Sequence, residues 1–210
     1  MKRTLFFCVC LSLCLASCNR TYRDSALYQQ SGRPKPIVTL LPTLDHSSDT
    51  SLAWDLSKEF TEEFRKKMYD SSKVYLLRDG ADHAVAEKLN PPNPEAIPSE
   101  VIADLGATEF AVVTEIFEHK QTPHPTSVGS ATLELGMRVR VIDVRNSTPK
   151  VVLQEIYQQE QLIAPAYIQM DYQRNGWQSE TFQNTPVGML HNRMIREIAG
   201  RIEAYIEATR

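Results

Sequence analysis

The strongest constraint on what this chain can fold into is a pair of alternating runs near its middle, residues 131–144 and 150–161, separated by Arg145-Asn146-Ser147-Thr148-Pro149. In an extended chain Leu133, Leu135, Met137, Val139 and Val141 fall on one face of the first run, while Glu134, Arg138 and Arg140 fall on the other. The pattern predicts a hairpin with one buried face. A hairpin alone is marginal in water, so other parts of the chain must cover that face.

The covering elements are legible on either side. Leu52, Leu56, Phe60, Phe64 and Met68 recur every four residues with charges between them, which predicts an amphipathic helix over residues 51–69. Thr185-Pro186 resembles an N-cap followed by proline at the first helical position, and Leu190, Met194, Ile198, Ile202, Tyr205 and Ile206 predict a long final helix. Both stripes read as core-packing faces. Ile37-Val38-Thr39-Leu40-Leu41, closed by Pro42, reads as a buried strand, and residues 73–78 and 108–118 read as two more. A helix over residues 81–89 must break at Pro91-Pro92-Asn93-Pro94, and a short one that starts at Ile97-Pro98-Ser99-Glu100, with proline near its first turn, runs to Leu105 and stops at Gly106. Residues 120–130 form a loop rich in Pro, Thr, Ser and Gly. The expected fold is α+β: a mixed, mostly antiparallel sheet of about five strands, with two long helices and one or two short ones packed on it.

The amino terminus decides compartment. Lys2 and Arg3 form a positive region, residues 5–15 are uncharged and apolar, and Ala16 and Ser17 are small. The apolar run is shorter than the about 20 residues that span a bilayer. Leu15-Ala16-Ser17-Cys18 resembles the bacterial lipobox, which implies that residues 1–17 are removed and that acylated Cys18 becomes the first residue. An ordinary secretory signal with an incidental Cys18, or a buried apolar helix, is the plainer alternative; the ordered regions ending at Cys favour the lipoprotein. One acyl chain holds a protein only marginally, but the resemblance implies three. Asn19, where the enterobacterial sorting rule uses Asp to retain lipoproteins in the inner membrane, favours the outer membrane facing the periplasm. Residues 18–36 are polar and punctuated and read as a flexible tether, and 37–210 read as a single domain.

Cys8, Cys10, Cys14 and Cys18 are the only four cysteines, so the domain beyond them has no disulfide and rests on its core. The formal charge of −3 becomes more negative once Lys2 and Arg3 are removed, which gives nucleic acid no electrostatic reason to bind. The expected partners are the membrane, through lipidated Cys18, and another envelope protein.

The order strand, helix, strand, helix, strand, strand, strand, helix behind a lipobox resembles the family of periplasmic lipoproteins that includes the curli secretion lipoprotein CsgG, the exopolysaccharide lipoprotein PelC, the penicillin-binding-protein activator LpoB and the TolB N-terminal domain. The segments that carry the resemblance are IVTLLPTLDHSSD (37–49), DLGATEFAVVTEI (104–116) and LGMRVRVIDVRNSTPKVV (135–152). They look like the family's first strand, its Leu-Gly-Ala strand entry and its Val-Ile-Asp-Val hairpin. The resemblance implies an α+β domain that works in envelope assembly, secretion or regulation of wall synthesis. The family's hairpin turn commonly carries Thr-Gly, where this chain has Ser147-Thr148-Pro149. The pore activity of one member is not carried over: Glu155 shares a face with Val151, Leu153 and Tyr157 in simple alternation, and no second long hairpin is present.

No phosphate-cradling glycine loop, HExxH helix, GxSxG elbow or CxxC pair appears, and acylation would remove Cys18 as a nucleophile. No catalytic residue, cofactor or metal is therefore expected. Asp45, His46 and Asp49 have metal-ligating side chains, but residues 45–51 more simply cap the following helix. His119 and His124 flank a stretch broken by Pro123 and read as parts of a solvated loop. Residues 162–184 are irregular yet carry Tyr167, Tyr172, Trp177 and Phe182. These aromatics either cover the edge of the core or bind a partner. The stretch exceeds the about 12–15 residues beyond which loops tend to be functional or disordered, and its aromatics argue against disorder, so a partner-binding surface is expected there. The function expected is that of a membrane-anchored, non-enzymatic protein-binding or assembly module of the envelope. The alternative is a homo-oligomeric component of a secretion or export apparatus.

Overall fold

A computed structural model describes residues 34–47, 52–77, 83–93, 97–168, 170–172, 174 and 176–209. Cys18, most of the tether and Asp49 lie outside the described residues. Pro36–Arg210 forms one compact unit.

Six strands make one sheet: β1 Ile37–Leu40, β2 Leu44–Asp45, β3 Tyr75–Leu76, β4 Phe110–Pro123, β5 Ala131–Asp143 and β6 Lys150–Ile163. Their order is β3-β1-β4-β5-β6, with β2 also paired to β4. The short strands pair in parallel, and β4, β5 and β6 form a long antiparallel meander. Parallel neighbours need a crossover, and α1 (Leu56–Ser71) supplies it between β1 and β3. The remaining helices are α2 (His83–Lys88), a 3-10 helix (Ser99–Leu105), α3 (Pro165–Ile168), α4 (Glu180–Gln183) and α5 (Pro186–Ala208). The expected α+β fold, with two long helices on a mostly antiparallel sheet, is the one observed.

Several boundaries differ from the expectation. Helix α1 begins at Leu56 because the Asp55 carboxylate accepts from the backbone amides of Ser57 and Lys58, which satisfies the first-turn donors. Leu52 and Trp54 therefore precede the helix, and residues 45–47 do not cap it; the Asp45 carboxylate takes both the amide and the hydroxyl of Ser47. Strand β4 runs on to Pro123, so the expected loop over 120–130 shrinks to residues 124–130. Residues 162 and 163 belong to β6, and α3 and α4 interrupt the stretch thought irregular. Helix α5 starts where expected, with the Thr185 hydroxyl accepting from the Gly188 amide.

Helices α1 and α5 cover one face of the sheet. The main core joins Phe60, Phe64 and Met68 to Leu190, Met194, Ile198 and Ile202 over Leu133, Leu135, Met137, Val139 and Val141. The sheet is not solvated on its other face throughout: α2 and the 3-10 helix bury Ala111 and Val113 of β4, Ile142 of β5 and the adjoining Val144 there, with Val85, Leu89 and Leu105. Two bulges break simple alternation. On β6 the register passes from Leu153 opposite Val141 to Val151 opposite Ile142, so Val152 is the extra residue. Val151 consequently turns to the second core and does not share a face with Leu153, Glu155 and Tyr157. On β4 the pairing of Ile116 with Met137 is followed by Glu118 with Gly136, leaving Phe117 extra. After that bulge the odd-numbered residues face the helices.

Candidate functional site

Three buried polar side chains from three elements meet beneath the helices. Glu59 lies on the first turn of α1, where an acidic residue complements the helix dipole. His191 occupies the second turn of α5, and His119 sits on β4 beyond the bulge, opposite Leu135. They are 2%, 1% and 3% exposed. The Trp54 indole N–H donates to Glu59 Oε2 at 2.6 Å. Glu59 Oε1 lies 2.7 Å from His191 Nδ1, and because a carboxylate only accepts, that nitrogen is the donor. His191 Nε2 then faces His119 Nε2 at 3.0 Å. The ring centroids stand 5.2 Å apart, a separation that requires the nitrogens to lie near the line between the rings. The imidazoles meet end to end, which is hydrogen-bond geometry and leaves no point where a cation reaches both lone pairs. Among the described residues no cluster of three or more His, Cys, Asp and Glu side chains could hold a metal. At these exposures no substrate atom reaches the chain of bonds.

Aromatic rings close over it. Phe60 and Phe182 pack on His191 at 5.0 and 5.9 Å between centroids. Trp54 meets Phe182 edge-on at 4.9 Å, and Tyr172 meets both Trp54 and Phe182 at 6.1 Å. The contacts among Trp54, Tyr172 and Phe182 are edge-to-face, an arrangement that ring quadrupoles favour. The Tyr172 phenol donates to the Tyr167 carbonyl at 3.2 Å, and burial pushes its pKa up.

The four aromatics expected to bind a partner thus occupy different depths. Phe182 is buried in the core and presents no surface, whereas Tyr167, Tyr172 and Trp177 are partly buried against it and partly open to solvent. Tyr172 and Phe182 are brought together around Trp54, and Tyr167 is joined to them through Tyr172. Of the histidines flanking 120–123, His124 does lie in a loop, receiving a long hydrogen bond from the Thr126 amide. His119 does not: the bulge at Phe117 turns it inward. Simple alternation along β4 would have placed it outside. The available signal was Gly136, since a glycine inside a strand marks a bulge or a close backbone approach. A Cβ there would stand 2.5 Å from the Phe117 ring.

His46 and Asp45 do not converge as ligands. The Nδ1 of His46 meets Glu115 Oε1 at 3.0 Å and its Nε2 meets Glu87 at 3.2 Å, on the sheet face opposite the long helices. Glu115 also accepts from Arg138 at 2.7 Å and Asn90 at 3.1 Å, and Arg140 donates to Asn90 and Gln154. The hydrogen bond to Glu115 raises the His46 pKa. Burial alone would raise Glu115, but the bonds from His46 and Asn90 and the charge of Arg138 hold it below the ordinary value. The cluster is an internally balanced charge network.

Comparison with known proteins adds the following. A family model described as a family of unknown function (DUF7499) matches residues 24–210. No curated protein matches. Among solved structures, the hypothetical protein CT253 from Chlamydia trachomatis is 34% identical, covers 83% of this chain and 99% of its own, and superposes with a TM-score of 0.70. Protein XCC0632 from Xanthomonas campestris, of the DUF330 family, covers 87% of this chain and 94% of its own at 6% identity and a TM-score of 0.50, a likeness of fold alone. Lipoprotein GNA1162 from Neisseria meningitidis covers 79% of this chain and 99% of its own at 13% identity, with a TM-score of 0.41.

Proposed function

The chain belongs to the DUF7499 family, and from that premise we propose that it is a lipid-anchored, non-enzymatic protein-binding module of the bacterial envelope whose contact surface is the aromatic cover at Tyr167, Tyr172 and Trp177. The envelope setting is supported by the lipobox ending at Cys18. The contact surface is supported by one observation above all: three aromatics are held half-open over a hydrogen-bonded core rather than buried in it. Tyr and Trp dominate interface hot spots, and the Tyr172 ring, already fixed by Trp54 and Phe182, loses little freedom when a partner arrives. On this reading the likeness to the CsgG, PelC, LpoB and TolB group is one of fold and setting, and no partner is carried over from it.

The test uses the full chain in membranes. Intact mass of the wild-type protein should show an acylated chain beginning at Cys18, and Cys18→Ala should release it or leave it unprocessed. Trp177→Ala should leave the thermal transition nearly unchanged while reducing capture of an envelope protein by crosslinking; a mutant that melts early yet captures the same protein would sink the binding reading.

A second reading, a homo-oligomeric component of a secretion or export apparatus, is favoured by β6. That strand of 14 residues ends the sheet, and among the described residues nothing pairs with its outer edge. Sedimentation of the intact protein separates the two, since a ring would run many times heavier than one chain.

A further inference from the structure

We infer that the end-to-end pair of His119 and His191 is a one-proton latch, which holds the cover of Trp54, Tyr172 and Phe182 closed and opens when the pair takes up a second proton. This inference rests on the reading above, because it concerns regulation of the same aromatic surface.

The latch follows from what a head-on contact between two ring nitrogens at 3.0 Å can contain. With no proton between them two lone pairs oppose each other, and with two protons two N–H bonds do; one proton makes a hydrogen bond. His191 Nδ1 keeps its hydrogen on Glu59 Oε1. When both rings are neutral, the bridging proton therefore belongs to His119 Nε2. One further proton turns the pair into an imidazolium sharing the bridge with an imidazole. Every bond survives, and Glu59 with the pair becomes neutral overall. A second further proton makes both rings imidazolium. Two N–H bonds then point at each other, and Glu59 with the two rings carries a net positive charge away from water, which burial opposes. The pair has to part.

Among the described residues, the elements packed around the pair supply the following groups. Helix α1 contributes Glu59, β4 contributes His119 and α5 contributes His191. The segment before α1 gives Trp54 and α4 gives Phe182, neither of which titrates, and the segment at 170–172 gives Tyr172 and the exposed Asp171, whose carboxylate accepts from the Arg174 amide. Glu203 is buried about three turns further along α5, and Glu115 and Arg140 belong to the opposite face of the sheet. Parting the rings removes the His191 donor from Glu59, on whose other oxygen the Trp54 indole rests, and removes the ring against which Phe182 packs. The cover loses its floor and its tie together.

The experiment places Trp177→Phe in the full chain, which leaves Trp54 as the one tryptophan of the original two. Between about pH 7.5 and 5, the range in which histidines titrate, Trp54 emission should shift to the red while far-UV ellipticity holds. His119→Gln should abolish the shift, because its amide can donate one hydrogen to His191 Nε2 and cannot titrate. Constant emission, a shift that moves in step with loss of ellipticity, or a shift that persists in His119→Gln overturns the latch. Should that variant fail to fold, 15N-labelled histidines in the wild-type chain decide. A bridging proton shared by two imidazoles is expected near neutral pH, lost over the same interval, whereas five imidazoles titrating independently contradict the inference. These readouts need no partner, and the Trp177→Ala capture experiment needs no pH change, so failure of one reading is distinguishable from failure of the other.

Discussion

Glu115 is approached by His46, Asn90 and Arg138 at once, and the consequence for stability depends on pH in a definite sense. His46 has a raised pKa in the fold, so its contribution is fully present below the unfolded value of about 6.5 and is lost as pH rises through the folded value. Glu115 has a lowered one, so its contribution is present above the unfolded value of about 4.3 and is lost as pH falls through the folded value. The pair contributes most between those limits. His46→Ala should therefore lower the melting temperature more at pH 5.5 than at pH 8, values chosen about the histidine range; an equal loss at both would mean that the charge of His46 is not what Glu115 holds. Solvent around the half-exposed imidazole keeps the effect small. Residue chemistry of this kind was not legible beforehand, because His46 and Glu115 are far apart in sequence and meet only when β2 pairs with β4.

At the scale of elements, two glycines of α5 serve opposite purposes. Gly188 lies where a Cβ would stand 2.2 Å from the Phe182 carbonyl oxygen, a backbone atom that cannot swing aside. Its lack of a side chain is what lets α4 abut the first turn of α5 and bring Phe182 under Trp54. Gly200 has nothing within 4 Å of the same position and lies exposed in the helix interior. Gly188→Ala should cost about 1–3 kcal/mol, the range for forced overpacking, and Gly200→Ala should stabilise by about 0.5–1 kcal/mol through helix propensity. Urea midpoints measure both, and a shared sign would refute the packing account. The bulge at Phe117 belongs to this scale as well: the sequence pattern ends the strand at residue 118 and leaves His119 in a solvated loop, whereas the strand continues to Pro123 and one unpaired residue turns His119 to the core.

For the whole molecule, the main core depends on α1 and α5 closing over the meander. Phe60 is fully buried and touches both Phe64 and His191, so Phe60→Ala should cost about 3–5 kcal/mol. A loss near zero in denaturant melts would show that α1 presents another face to the sheet. The elements were legible from sequence because they rest on local physics: apolar period in the helices, alternation in the hairpin, and the Thr185-Pro186 start and Gly106 stop of helical segments. Those signals lie within a few residues of the structure they specify, and they carried the α+β class and the two long helices. The polar chain from Trp54 through Glu59 and His191 to His119 had no such signal. Each member, read alone, has an ordinary local explanation: an acidic first turn, a polar residue beside an apolar stripe, a histidine near a loop. Only tertiary structure decides that they meet, because the contact needs the bulge in β4, the late start of α1 at Asp55 and the docking of α5 on the sheet, and these are settled by packing across more than a hundred residues of chain.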